Sequence, residues 1–343
     1  MENKRLKLPI GVQTLTVLLT AVMMLCCLLV IACNSANTQF LNEEIITQEL
    51  MPLQGITYPV RVEVNHPFLI VQNMKRTDSL FHIYDLTGYE LKNAFGERGQ
   101  GPDDFVAPWL FHAQFPDFLI GDLSRNMVYQ IGINEEGLPV FKDKKQARYI
   151  NGVNDAAFIN DSLFVVDAMD IAPSLYLLSM KDELPNKTRK YRNPAIVDYS
   201  IDPDMGRVYA NESRIAICYG YKKQIDFMDI NLNLIKRVKF NYAKPEIHNR
   251  PDDKVSYVYG YFGKRYLYAL FFGTSWQEHR AQSCRGSFLE VFDLDGNPVI
   301  RYRLDGISPV YFAVDEETFT LYGTGEKGDP EDYLLMYKLK GLS

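Results

Sequence analysis

Cysteine, histidine and tryptophan are scarce in this 343-residue chain, which holds five Cys, five His and two Trp. Three of the cysteines, Cys26, Cys27 and Cys33, fall near the start, leaving only Cys218 and Cys284 further on. No H-E-x-x-H segment, no metal-spaced cysteine pair and no G-x-S-x-G elbow occurs, so neither a zinc site nor a hydrolase nucleophile has a motif behind it. Positive charge is also short. Lys and Arg total 37 against 43 Asp and Glu, a net −6, and without the first 32 residues the balance falls to −8. A body that acidic does not suit nucleic acid, which asks for concentrated positive charge. What is plentiful is tyrosine and phenylalanine, 22 and 20 residues, a composition that favours strands. With 47% hydrophobic and 23% charged residues, the chain has the means to build a packed globular body.

The first residues read as an address. Lys4, Arg5 and Lys7 precede an uncharged stretch from Leu8 to Ala32, apolar almost without break after Thr14. This is the charged n-region and apolar core of an export signal. It ends Val30-Ile31-Ala32-Cys33, which resembles the lipobox of bacterial lipoproteins, where the cysteine is acylated and becomes the mature N-terminus. An uncleaved membrane anchor is the other reading, since about 20 apolar residues span a bilayer. The reading is therefore a signal peptide over 1–32, a lipidated Cys33, a polar tether over 33–44 and a body over 45–343. No acidic residue follows the cysteine at once, and under the export rules this resembles, the protein would sit at the outer membrane, facing either the periplasm or the exterior. Cys218, inside the apolar run Ile215–Tyr219, reads as a buried thiol rather than half of a bridge to Cys284.

The body repeats. A short apolar run, a tight polar turn and a second apolar run recur six times, as in Arg61–Val64, Asn65-His66-Pro67, Phe68–Val71 and again in Tyr257–Phe262, Gly263-Lys264-Arg265, Tyr266–Phe271. The second runs begin at 68, 118, 163, 214, 266 and 319, gaps of 50, 45, 51, 52 and 53. A third run follows each hairpin and a fourth follows most, with turn residues such as Glu136-Gly137 and Asp295-Gly296-Asn297 between them. Four short strands per unit in six units predict an all-β, six-bladed β-propeller with four antiparallel strands per blade. The sixth unit lacks a fourth run, because only four residues follow Tyr333–Leu339. Ile45–Leu53 belongs to no unit and is expected to supply that outer strand and close the ring, since an open ring leaves unpaired edges.

Phe95-Gly96-Glu97-Arg98-Gly99-Gln100-Gly101-Pro102-Asp103-Asp104-Phe105, with Pro108 beyond, resembles the G-x-x-G-x-G-P-x-x-F…P connection between blades in NHL-like and TolB-like propellers. With the lipobox, the whole resembles the six-bladed propeller lipoproteins of Bacteroidetes. The motif occurs once, after the first blade. Its glycine spacing is not that of a nucleotide-binding loop, and the glycines are expected to provide positive φ in a tight passage.

In a propeller, inner-pair and outer-pair turns lie on one side, and here they are short. The second-to-third and blade-to-blade segments lie on the other, and they hold the long stretches Gly96–Pro108, Arg192–Asp204, Asn241–Ser256, Gly273–Gly286 and Gly323–Asp332. Long loops on a rigid scaffold are the expected place for binding. Arg98, Arg125, Tyr221, His248, Trp276, His279, Arg280 and Arg285 are the candidate contacts there, with Trp276 the best anchor; Tyr219, Lys222 and Arg250 accompany them. The expected function is a non-catalytic, membrane-anchored binding module for a protein or glycan of the envelope, without cofactor or metal. The alternative is a metal-dependent hydrolase or lactonase at the channel mouth, with Asp167, Asp170 and Glu326 as conceivable ligands.

Overall fold

The computed structural model describes residues 38–343 except 57, 75–78, 102–103, 114–116, 147–152, 169–173, 180–188, 192–205 and 242–251. The signal peptide, Cys33, Asp170, the 192–204 connection, His248 and Arg250 therefore lie outside the described residues.

Each repeat folds as one sheet of four strands joined in sequence. The first blade is β3 (Pro59–Asn65), β4 (Phe68–Asn73), β5 (Phe81–Asp85) and β6 (Leu91–Phe95). The second is β7 (Pro108–Phe111), β8 (Phe118–Asp122), β9 (Met127–Ile133) and β10 (Pro139–Gln146). β11 (Val153–Phe158), β12 (Leu163–Ala168), β13 (Ser174–Ser179) and β14 (Arg189–Tyr191) make the third. The fourth holds β15 (Gly206–Ala210), β16 (Arg214–Tyr219), β17 (Gln224–Asp229) and β18 (Leu234–Lys239). β19 (Tyr257–Phe262), β20 (Tyr266–Phe271), β21 (Phe288–Asp293) and β22 (Pro298–Asp305) form the fifth, and β23 (Tyr311–Asp315), β24 (Thr320–Thr324) and β25 (Tyr333–Lys338) the sixth. All consecutive pairs within a blade are antiparallel.

Stacking blades face to face buries both sides of their middle strands. β16, β20 and β24 are buried almost end to end, and β20 accordingly reads as an unbroken apolar run rather than as alternation. The outer strand β10, by contrast, is exposed along most of its length. The core is accordingly a set of interfaces. One cluster joins Ile70, Phe81 and Ile83 of the first blade to Leu110, Ile120 and Tyr129 of the second. A second continues from Phe111 and Leu119 to Phe158 and Phe164, and a third from Val165 and Leu175 to Ile215 and Met228.

The ring closes through the N-terminal segment, but that segment is two strands where one was expected. β2 (Glu49–Pro52) pairs antiparallel with β25 and completes the sixth blade, with Met51 1% exposed. β1 (Glu43–Thr47) instead runs parallel to β22 and becomes a fifth strand of the fifth blade. Gln48 is the crossing point. Its N–H donates to Asp305 O at 3.0 Å, and its Oε1 accepts from the Ile307 N–H at 2.5 Å. Just upstream, the Phe40 ring stacks on Phe240 of the fourth blade with centroids 5.7 Å apart. The latch thus touches three blades in succession. Cys218 is a buried free thiol and Cys284 a half-buried one.

Candidate functional site

The motif after the first blade is a clamped passage. Arg125 donates to the carbonyl oxygens of Asp104 at 2.7 Å, Gly101 at 2.9 Å and Gly99 at 3.4 Å. Asp122, fully buried, accepts from the N–H groups of Val106 at 2.7 Å and Ala107 at 3.2 Å. The glycines differ in purpose. Gly96 has φ +80°, as expected, whereas Gly99 does not lie in that region, and a Cβ there would come within 2.1 Å of the Asp104 carboxylate. A side chain at 99 would have to displace that carboxylate, which accepts from the Gly101 N–H at 2.8 Å. Arg125 is thus tied down beneath the loop, while Arg98 on the same passage is exposed.

The loop between β20 and β21 carries the other candidates. Ser275 caps a short helix, Trp276–Ala281, accepting from the Glu278 N–H, while the Glu278 carboxylate accepts from the Ser275 N–H. This reciprocal capping satisfies two donors that the first turn would otherwise leave open. The His279 ring stacks on Phe272 at 4.0 Å and is 3% exposed; Trp276 meets the same ring edge-on at 5.1 Å and is half-buried. Burial lowers the His279 pKa, although the Glu326 charge opposes it. Arg280 reaches the next blade and donates to Glu326 at 2.6 Å, and that bond leads the causes that hold the Glu326 carboxyl below its ordinary range. Trp276, His279, Arg280 and Arg285 therefore share one platform, whereas Tyr221 sits half-buried against the core.

The channel is packed rather than open at this end. On β3 the Arg61 guanidinium lies 3.7 Å from the Trp109 ring and 4.6 Å from that of Tyr311, and it donates to Leu110 O at 3.1 Å. Two residues on, Glu63 meets His112 Nδ1 at 3.0 Å, while His112 Nε2 lies 2.9 Å from Phe262 O. Burial raises the Glu63 pKa against the pull of His112 and Arg61. Burial works against the His112 imidazolium, yet Glu63, the Phe262 carbonyl and the Glu316 charge together outweigh it and its pKa is raised. Among the described residues no group of three or more His, Cys, Asp or Glu is placed to hold a metal ion. Glu326 is bound to Arg280, and Asp167 lies on β12.

At the short-turn end the channel widens into a cavity of about 540 Å³. His66, Glu212, Lys264 and Glu317 stand at its rim, with Asp315 and Glu316 in its wall. Both wall carboxylates have structural work: Asp315 accepts from Thr318 Oγ1 at 2.7 Å, and Glu316 from the Arg265 N–H at 3.0 Å and the Tyr268 hydroxyl at 3.0 Å. No single turn marks this mouth in sequence, because its polar residues come from the separate turns at His66, Glu212, Lys264 and Asp315–Glu317. The signal is in the topology: among the described residues, inner-strand turns of separate blades meet at this cavity.

The family model of the TolB-like six-blade propeller matches residues 37–317. The chain belongs to this family. Two solved structures share the TolB-like propeller's fold. One is a Bacteroides fragilis protein whose export is itself inferred, at 10% identity and a TM-score of 0.55, covering 87% of this chain and 99% of the other. The second is a DUF4221 family member from Bacteroides vulgatus, at 13% identity and a TM-score of 0.52, covering 89% and 98%. No curated protein matches the sequence.

Proposed function

We propose that this TolB-like propeller is an envelope lipoprotein, anchored through Cys33, that acts as a non-catalytic binding module through its long-loop face. One observation carries the reading. Joining β20 to β21 needs only a few residues, yet the chain spends Gly273–Gly286 on a helix with a reciprocal cap, aromatic packing and an ion pair to the next blade. Ordering a loop of that length costs conformational entropy beyond what joining the two strands requires. Rigid presentation of side chains is what such ordering provides to recognition. The acid–base groups of the channel, Glu63 and His112, are bonded to each other and to Phe262, an arrangement that suits structure better than turnover. The inferred export of the Bacteroides fragilis neighbour agrees with the Ala32-Cys33 signal for this chain.

Photo-crosslinking in intact envelopes tests it. A crosslinking residue replacing exposed Arg280 is expected to trap an envelope partner, while the same residue replacing exposed Lys264 on the opposite face traps none. Adducts from position 264 alone would move the function to the channel mouth. Cys33→Ala is expected to abolish acylation, measured by incorporation of labelled palmitate.

A further inference from the structure

Beside the platform lies a second cavity, of about 420 Å³, lined by Ile45, Gln282, Arg285, Arg303, Leu304 and Asp305 with two glycines at its edge. Its two arginines differ from most others in the described structure, a state they share with Arg98. Arg125, Arg214, Arg237, Arg280 and Arg301 all donate to carbonyl oxygens or carboxylates of the protein. Among the described residues, neither the Arg285 nor the Arg303 guanidinium has a hydrogen-bond or ion-pair partner. Guanidinium groups bind carboxylates in a fixed, two-pronged geometry. Asp305 offsets one of the two charges, so the wall stays net positive on a body that is otherwise acidic.

The same cavity borders a free sheet edge. β1 is the terminal strand of the five-stranded sheet, so among the described residues no strand covers its outer side. Ile45 of β1 is in register with Arg303 of β22 and is 65% exposed, an apolar surface next to the cations. An extended peptide adding to β1 would bond its backbone along that edge and set alternate side chains over Ile45 and the arginines.

We propose that this site binds an extended acidic peptide segment as an added strand on β1, with Arg285 and Arg303 taking its carboxylates. The inference rests on the binding-module reading and names the ligand for that face. The test is fluorescence anisotropy on the full chain in detergent, with labelled eight-residue peptides of alternating Glu and Val or alternating Lys and Val. The acidic peptide is expected to bind, more weakly as salt rises, and the basic one not to bind. Arg285→Ala with Arg303→Ala is expected to weaken binding by roughly tenfold or more while the melting temperature holds. N-methylation of alternate peptide nitrogens, which removes strand bonding without touching the protein, is expected to abolish it. Equal binding of both peptides, an unmoved double variant, or full binding after N-methylation overturns the proposal. Displacement by oligogalacturonate as effective as by unlabelled peptide assigns the site to acidic glycans and overturns it equally. Crosslinking from position 280 without acidic-peptide binding rejects this inference and leaves the binding-module reading in place; loss of both the crosslink and peptide binding rejects the two together.

Discussion

His112 Nδ1 lies 3.0 Å from Glu63 Oε2 inside the channel, and the other ring nitrogen faces Phe262 O at 2.9 Å. Both nitrogens point at oxygen acceptors, so the pair holds one proton between them besides that on Nε2. The bond ties the first blade to the second and, across the axis, to the fifth. The folded state binds that proton more tightly than an unfolded chain does, because both groups have raised pKa values. Stability from the pair is therefore complete below the ordinary histidine pKa of about 6.5 and is lost as pH rises through the raised folded value. Arg61 and Glu316 add their charges to this environment. Melting temperature should fall from pH 6.5 toward 9, and Glu63→Gln should flatten that fall. Leaving His112 without its partner is expected to cost about 3–5 kcal/mol near neutral pH, read from urea unfolding.

Arg125→Ala should destabilise the passage between the first two blades while removing only a part-buried side chain. Three backbone carbonyls lose a charged donor, and a charged hydrogen bond contributes about 1.5–3 kcal/mol. With one bond already long, a total near 2–4 kcal/mol is expected by the same scale. Hydrogen exchange should rise first at the Gly99 and Phe105 amides. Arg125→Lys, which keeps the charge but not the fork, should recover less than half of the loss.

How much of this was legible in the sequence depended on which force fixes each element. The fifth hairpin, Tyr257–Phe262 with Tyr266–Phe271, matches its apolar runs residue for residue, because burial on both faces leaves no polar residue to blur the ends. The inner strand of the second blade runs Pro108–Phe111. Pro108 reads as a loop residue, yet proline is tolerated as the first residue of a strand. Arg125 read as a surface cation because its acceptors are backbone carbonyls, which carry no sequence signature. The division of Ile45–Leu53 was hidden for a related reason: only the partners of Gln48, not its neighbours in sequence, mark it as a crossing.

That division predicts unequal consequences along one short segment. Met51 of β2 is 1% exposed, whereas Ile45 of β1 is 65% exposed. Met51→Ala should cost about 2–5 kcal/mol, as other buried large-to-small changes do, and should open the sixth blade to proteolysis. Ile45→Ala should move the melting temperature little, within about 0.5 kcal/mol. Similar losses at the two positions would refute the split latch.

Trp276 offers a sharper test of what the platform is for. Its ring packs edge-on against Phe272 at 5.1 Å and lies 5.8 Å from the Arg280 guanidinium. A tryptophan serving only as a contact anchor would change binding and leave stability alone. Packed as it is, Trp276→Ala should lower stability by about 2 kcal/mol, less than full burial of such a side chain would give. Arg280→Ala removes an exposed ion pair to Glu326 and should cost under about 1 kcal/mol. If the platform must be rigid to recognise its partner, Trp276→Ala and Ser275→Ala, which removes the helix cap, should both weaken crosslinking from position 280. Ser275 is buried, so weakened crosslinking in that variant reports loss of order, visible as faster exchange of the 276–281 amides. Unchanged exchange with lost crosslinking would instead make Trp276 a direct contact.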